Sequence, residues 1–332
     1  MTKAAEYYAA ARQPEKAAEI YKKLLDTATL TDEQTADLWM QYAISIAPGD
    51  QEGANRAVDC AKALTPDADT NAEFQFGRVE VYTAKGDGRG AASALRTGKS
   101  AYELANAEQK IRFALRLGEI SELFGQSRQA EQWYEAALEA PADDLRAHQE
   151  AEHGLMRVCM RRDQVEAAEE HGKKALELTE QIAGSRDHTA VPVLADLVLV
   201  FMQRGDPEQA KTYSDEAVRL SADSAVPAEQ TAAFLAAGRL QAYLGNTADA
   251  LPLLKCAASL SEEVYGTKSL MYAKAQRRYA EVLFTEEQYA EAAAAFRAAE
   301  QSYQQFPGNN GAAEECGYMA ANAEKAAGKS KQ

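Results

Sequence analysis

Few residues in this 332-residue chain have types and spacings that could do chemistry. Thr97-Gly98-Lys99-Ser100 ends like a phosphate-cradling loop. That loop needs a glycine five residues before Gly98, and a strand before that, so that backbone N–H groups can wrap the phosphates. Ser93 stands at the glycine position, and the segment reads as helix. His148 and His153 lie near Glu150 and Glu152. Zinc-binding pairs on a helix stand four apart and share a face, but these histidines are five apart, so a solvated helix is expected. His171 and His188 are isolated, and no nucleophile signature accompanies them. Cys60, Cys159, Cys256 and Cys316 are far apart and form no C-x-x-C pair, which argues against a zinc site or a disulfide framework and suits the cytoplasm. The expectation is a protein that is not an enzyme, with no catalytic residue, metal or cofactor. The remaining candidates are cations and aromatics, whose use depends on the elements that carry them.

Those elements are helices. Alanine, the best helix former, occurs 69 times, and only nine prolines interrupt the chain. The net charge of −15 argues against nucleic acid, whose binding needs neutralised phosphates, and against an anionic membrane surface. No run of eighteen apolar residues exists, so no membrane insertion is expected.

The helices repeat. A short turn recurs, followed by a helix with an alanine near its start: Ala17, Ala54, Ala91, Ala130, Ala168, Ala210, Ala250 and Ala292, at intervals of 37, 37, 39, 38, 42, 40 and 42. Seven residues on stand Leu24, Ala61, Gly98, Ala137, Ala175, Ala217, Ala257 and Ala299. Two helical turns separate each couple, so both members lie on one face, where small side chains let helices approach closely. Four residues after the anchors come Tyr21, Val58, Leu95, Tyr134, Leu254 and Phe296, but Gly172 and Ser214 depart from this, which predicts either looser packing or a register shifted by one residue there. Gly49, Gly86, Gly125, Gly205 and Gly245 punctuate the turns. Asp206-Pro207 reads as a cap and first helical residue. Thr31 with Gln34, Thr70 with Glu73, and Thr285 with Gln288 read as capping boxes. Pro252 falls early in a second helix and should bend it.

This pattern resembles the tetratricopeptide repeat (TPR), carried best by Leu117-Gly118, Ala130, Tyr134 and Ala137, with Pro66 at the family's closing proline. The period exceeds the family's commonest 34, and after Ala168 it is similar to the long, kinesin-light-chain-like type, as is Ala250-Leu251-Pro252-Leu253-Leu254. The resemblance implies an all-α, right-handed α-solenoid of about eight TPR-like helix pairs over 1–308, starting with a short first helix at Thr2–Arg12. A C-terminal capping helix over 309–328, with its core at Ala312–Ala327, and a tail over 329–332 complete the expected organisation.

The resemblance also places the first helix of each pair on a concave wall that holds a partner. The register puts Trp39, Phe76, Arg112, Arg116, Arg157, Arg161, Met202, Arg239, Tyr243, Lys274, Arg277 and Arg278 there, with Ile46, Glu80, Glu119, Met160, Leu199 and Glu281. The cations suggest that the middle and C-terminal groove receives carboxylates, since guanidinium binds carboxylate through two parallel hydrogen bonds. Ordinary solvated cations are the competing reading. The family's clamp for chaperone tails is incomplete: Trp39, Ala43, Gly77 and Glu80 stand where it needs Lys and Asn. The expected function is a non-catalytic scaffold or adaptor for another protein's peptide or helix. A ligand-sensing regulatory domain or a structural subunit of a large assembly are the alternatives.

Overall fold

The computed structural model describes residues 3, 14–86, 88–222 and 224–329. The described residues form sixteen α-helices and two short 3-10 turns. They fall into two compact units that meet at Phe124–Gly125.

The first unit contains α1 (Pro14–Thr27), α2 (Asp32–Ile46), α3 (Gln51–Leu64), α4 (Ala72–Ala84), α5 (Gly88–Leu104) and α6 (Ala107–Leu123). The expected first helix at Thr2–Arg12 lies outside the described residues except for Lys3. Anchors Ala17, Ala54 and Ala91 sit in α1, α3 and α5, and all three are buried. Gly98 lies inside α5, where an added Cβ would come 2.2 Å from Leu117 Cδ2. Its lack of a side chain therefore admits Leu117 of α6, and the segment is helix rather than phosphate loop.

The second unit contains α7 (Ser127–Ala137), α8 (Leu145–Arg161), α9 (Val165–Ala183), α10 (Val191–Arg204), α11 (Pro207–Ala222), α12 (Pro227–Tyr243), α13 (Thr247–Tyr265), α14 (Leu270–Thr285), α15 (Tyr289–Tyr303) and α16 (Asn310–Lys329). Anchors Ala130, Ala168, Ala210, Ala250 and Ala292 and their partners seven residues on, from Ala137 to Ala299, have no exposed surface. Helices α8, α10, α12 and α14 are the first members of successive pairs with α9, α11, α13 and α15. Helix α16 lays Ala313, Cys316, Ala320 and Ala323, one helical stripe, against Ala292, Phe296 and Ala299 of α15. It ends at Lys329, one residue beyond the span expected for it.

The position five residues before six of the anchors turns the chain. Gly86, Gly125, Asp163, Gly205, Gly245 and Glu287 all have positive φ, between 59° and 81°. At four of these turns the following N–H bonds five residues back: Gln164 to Cys159 O, Asp206 to Phe201 O, Asn246 to Gln241 O and Gln288 to Leu283 O. This is the bond that closes a helix through a left-handed residue. Gly49, at the equivalent place, does not take a positive φ. A non-glycine residue in this conformation costs about 1–2 kcal/mol, while glycine gives back about 0.4–1 kcal/mol through the freer unfolded chain. Glu287→Gly is therefore expected to stabilise the second unit by up to ~1 kcal/mol. A lower melting temperature for Glu287→Gly would contradict this account of the turn.

The capping expectations divide. Thr31 and Gln34 form the reciprocal box. Asp206 accepts the Gln209 N–H at 3.1 Å ahead of Pro207. Thr70 is not a cap: its neighbour Asn71 is better placed and accepts the Phe74 N–H at 3.0 Å. Thr285 is the last residue of α14 and donates to Glu281 O at 3.1 Å, so it opens no helix. Asn106 with Gln109 forms a box that the sequence reading passed over. Pro252 lies inside a helix that runs on to Tyr265. Gly172 and Ser214 do not mark loose packing. Both are buried, and a Cβ on Gly172 would meet Met156 Sδ at 2.5 Å and Leu197 Cδ2 at 2.6 Å. At Gly172 the neighbouring helices fill the space that a bulky residue fills elsewhere.

Candidate functional site

In the second unit the first helices α8, α10, α12 and α14 line a cavity of about 500 Å³, within the roughly 300–1,000 Å³ of small-ligand clefts. Each helix contributes residues spaced three or four apart, hence one face. Helix α8 gives His153, Arg157 and Arg161, and α10 gives Pro192, Ala195, Asp196 and Leu199. Helix α12 gives Ala232, Leu235, Ala236 and Arg239, and α14 gives Met271, Lys274 and Arg278, with Tyr303 of α15 at one end. The walls are apolar between the cations. Other faces of the same helices, with Met156, Leu197, Leu240 and Ala280, are buried, so one set of turns builds both the core and the cavity.

Five cations face this space: Arg157, Arg161, Arg239, Lys274 and Arg278. Asp196 is the one lining carboxylate, and His153 Nε2 lies 2.9 Å from its Oδ2. Burial opposes the charge on Asp196, but the bond to His153 and the nearby Arg157 and Lys274 hold its carboxyl below the usual range. Arg157 donates to the Tyr134 hydroxyl at 3.3 Å, which fixes its stem beside the core. Arg278 donates to Glu281 Oε2 at 2.7 Å. Burial, opposed by Arg277, pushes the Tyr303 phenol up to about 12, so it is a neutral donor at physiological pH. Arg239 is partly buried, and burial with the like charge of Arg278 pulls it down to about 10.

The structure sorts the residues that the sequence placed on the wall. Arg157, Arg161, Arg239, Lys274 and Arg278 come together in this cavity, with Leu199. Arg277 points elsewhere, to Glu281 at 3.0 Å and Glu315 of α16 at 2.8 Å. Met202 and Met160 pack on the core around Phe201. Tyr243 is 54% exposed and does not line the cavity.

In the first unit, Phe76 is a correction. It is buried, with its ring stacked on Phe113 at a centroid distance of 3.9 Å and an angle of 6°. Trp39 is partly buried, packing edge-on to Tyr42 at 6.0 Å with Lys22 over its face. Ile46 joins the same core cluster. Arg112 pairs with Glu73. Arg116 donates to both oxygens of Glu80, at 2.8 and 2.9 Å, and to Glu119 at 2.6 Å. Burial opposes the charge on Arg116, but those two carboxylates raise its pKa overall. The chain's own acids thus already engage the two arginines on which a carboxylate site in this unit was expected to rest.

Sequence reasoning missed His153, Asp196, Leu235, Met271 and Tyr303. Asp196 stands fourteen residues before its anchor and Leu235 fifteen, one turn from the positions read as wall. Extending the same register by that turn finds both. The histidines also find partners invisible to short-range spacing: His171 with Glu152 at 2.6 Å and His188 with Glu229 at 2.9 Å. No group of three metal-ligating side chains occurs among the described residues, and none of their helices is long and apolar enough to cross a membrane.

No family model matches the chain, and no curated protein does. Solved structures do. The crystal structure of apo RapI is 14% identical and aligns over 98% of this chain and 97% of its own, with a TM-score of 0.57. A tetratricopeptide repeat protein from Parabacteroides merdae is 16% identical over 87% of this chain and 99% of its own, with a TM-score of 0.59. Yeast Tom70 is 15% identical over 97% of this chain and 60% of its own, with a TM-score of 0.62. The described chain therefore has the all-α fold of TPR proteins, built from consecutive helix pairs.

Proposed function

We propose that this protein is a non-catalytic interaction scaffold that holds a peptide or helix of another protein in the groove lined by α8, α10, α12 and α14. The observation that carries this reading is the cavity itself: apolar walls and five cations on one continuous face of a chain whose net charge is −15. A locally positive cleft in an acidic protein focuses its field on an oppositely charged ligand. Apolar walls with a few convergent polar groups suit a bound side chain. Similarity of fold supports the reading. NprR, 12% identical over 86% of this chain with a TM-score of 0.57, was solved with its cognate peptide NprX. A Rap protein, 14% identical over 96% of this chain with a TM-score of 0.55, was solved with Competence and Sporulation Factor. Four free thiols suit a reducing compartment such as the cytoplasm.

The test is a peptide array probed with the wild-type protein and with variants. Arg157→Glu with Lys274→Glu is expected to weaken the strongest signals about tenfold, since each reversal sets repulsion against the ligand. Arg112→Gln with Arg116→Gln, outside the cavity, is expected to leave them unchanged. Equal binding by the groove variant and the wild type would end this assignment.

A further inference from the structure

Arg239 differs from Arg157 and Arg278, each of which has a hydrogen-bond partner. It makes no hydrogen bond or ion pair to a described residue, and Glu281 and Asp196 act on it only through space. The two carboxylates whose charge reaches it already hold other donors. Asp196 Oδ2 holds His153, while Glu281 Oε1 takes Arg277 and Oε2 takes Arg278. A guanidinium carries five N–H donors in a planar fork. Leaving such a group partly buried without an acceptor is costly, and the complement of its geometry is a carboxylate receiving two parallel bonds. Arg278 lines the same cavity and acts on it as a like charge, so a bound carboxylate would relieve repulsion as well as unmade bonds. One turn back along α12 lie Leu235 and Ala236, and Met271 lines the same cavity from α14. The seat is therefore a fork for an anion bordered by an aliphatic wall.

Resting on the peptide-groove reading above, we infer that Arg239 is the anchor of this site and that its ligand is a peptide presenting a carboxylate next to an aliphatic side chain. The carboxylate sits on the Arg239 fork, with Arg278 alongside, and the aliphatic group lies against Leu235 and Met271. Asp196 stays with His153 and repels a second acid placed deeper along α10, which limits the site to one well-seated carboxylate.

The experiment uses the full chain and fluorescence anisotropy with short acetylated peptides of leucine and glutamate. Three forms are compared: acid in the side chain, acid at the C-terminus only, and a neutral form with glutamine and an amidated end. Succinate and inorganic phosphate serve as free anions. The expected result is that at least one acidic form binds about 10–100-fold more tightly than the neutral form, and that Arg239→Met removes this difference. Which acidic form wins identifies the source of the carboxylate. Arg239→Met is also expected to raise the melting temperature of the ligand-free protein, because it removes an unpaired charge, and Arg239→Lys to recover only part of the selectivity. Equal binding of acidic and neutral peptides, lost in Arg157→Glu with Lys274→Glu, would overturn the acidic ligand while leaving the groove reading standing. Succinate or phosphate binding as tightly as any peptide would overturn the peptide source. A lower melting temperature for Arg239→Met would show Arg239 to be a structural residue and overturn the proposal. Absence of binding by every probe would overturn this inference and the groove reading together.

Discussion

Phe113→Ala is expected to destabilise the first unit by about 3–5 kcal/mol, the range for removing a fully buried phenylalanine. Phe113 has no exposed surface and stacks face to face on Phe76. Truncation removes the transfer energy of the ring and leaves a void that the adjacent helices α4 and α6 cannot close without losing contacts of their own. For a unit of about this size the melting temperature should fall by more than about 10 °C. Phe76→Ala should behave alike, because each ring is half of one stack. Thermal and urea denaturation of both variants checks this. A Phe76→Ala protein that melts like the wild type but loses ligand would restore Phe76 to the recognition surface where its register first placed it.

Gly172→Leu is expected to destabilise the second unit by about 2–3 kcal/mol, towards the upper end for overpacking. The repeat pattern argues the opposite. Most pairs carry a bulky apolar residue four after the anchor, so leucine would restore the consensus, and glycine inside a helix costs about 1 kcal/mol relative to alanine. The structure decides between them. The volume is already occupied by Met156 and Leu197, both fully buried, and a first added carbon would collide with each. Interiors are packed too densely to absorb a leucine beyond that carbon. A denaturation midpoint unchanged or raised by Gly172→Leu would mean that Met156 and Leu197 swing aside more readily than their burial implies.

These two sites show where the residues speak for themselves. Small anchors returning at nearly constant intervals define helix pairs, because close approach is a local demand visible in one position at a time. Gly172 differs because its partners come from the helices on either side, Met156 from α8 and Leu197 from α10, and no single repeat contains that information. The caps failed for a related reason. Thr70 and Asn71 are adjacent candidates, and only the backbone path selects the second. The candidate site was half legible. Arg157, Arg239, Lys274 and Arg278 follow from the register, whereas their pairing does not follow from neighbouring sequence. Yet the partners keep the period: Arg112 and Glu73 are 39 apart, Arg116 and Glu80 36, His153 and Asp196 43, and His188 and Glu229 41. Equivalent helices lie side by side, so charges one repeat apart meet. A search for opposite charges at that interval would have removed Arg112 and Arg116 from the recognition surface and added Asp196 to it.

The left-handed residue five before six of the anchors has a consequence for how such a chain can change over generations. It ends the first helix before the second begins, so most side chains on the open face of a first helix face other first helices, with Tyr134 and Tyr303 the contacts from second helices described above. On the proposed reading, exchanging them alters what is held without disturbing what holds it. New preferences can thus be acquired one substitution at a time, each variant still folding, and the same frame can pass from one cargo to an unlike one without a broken intermediate.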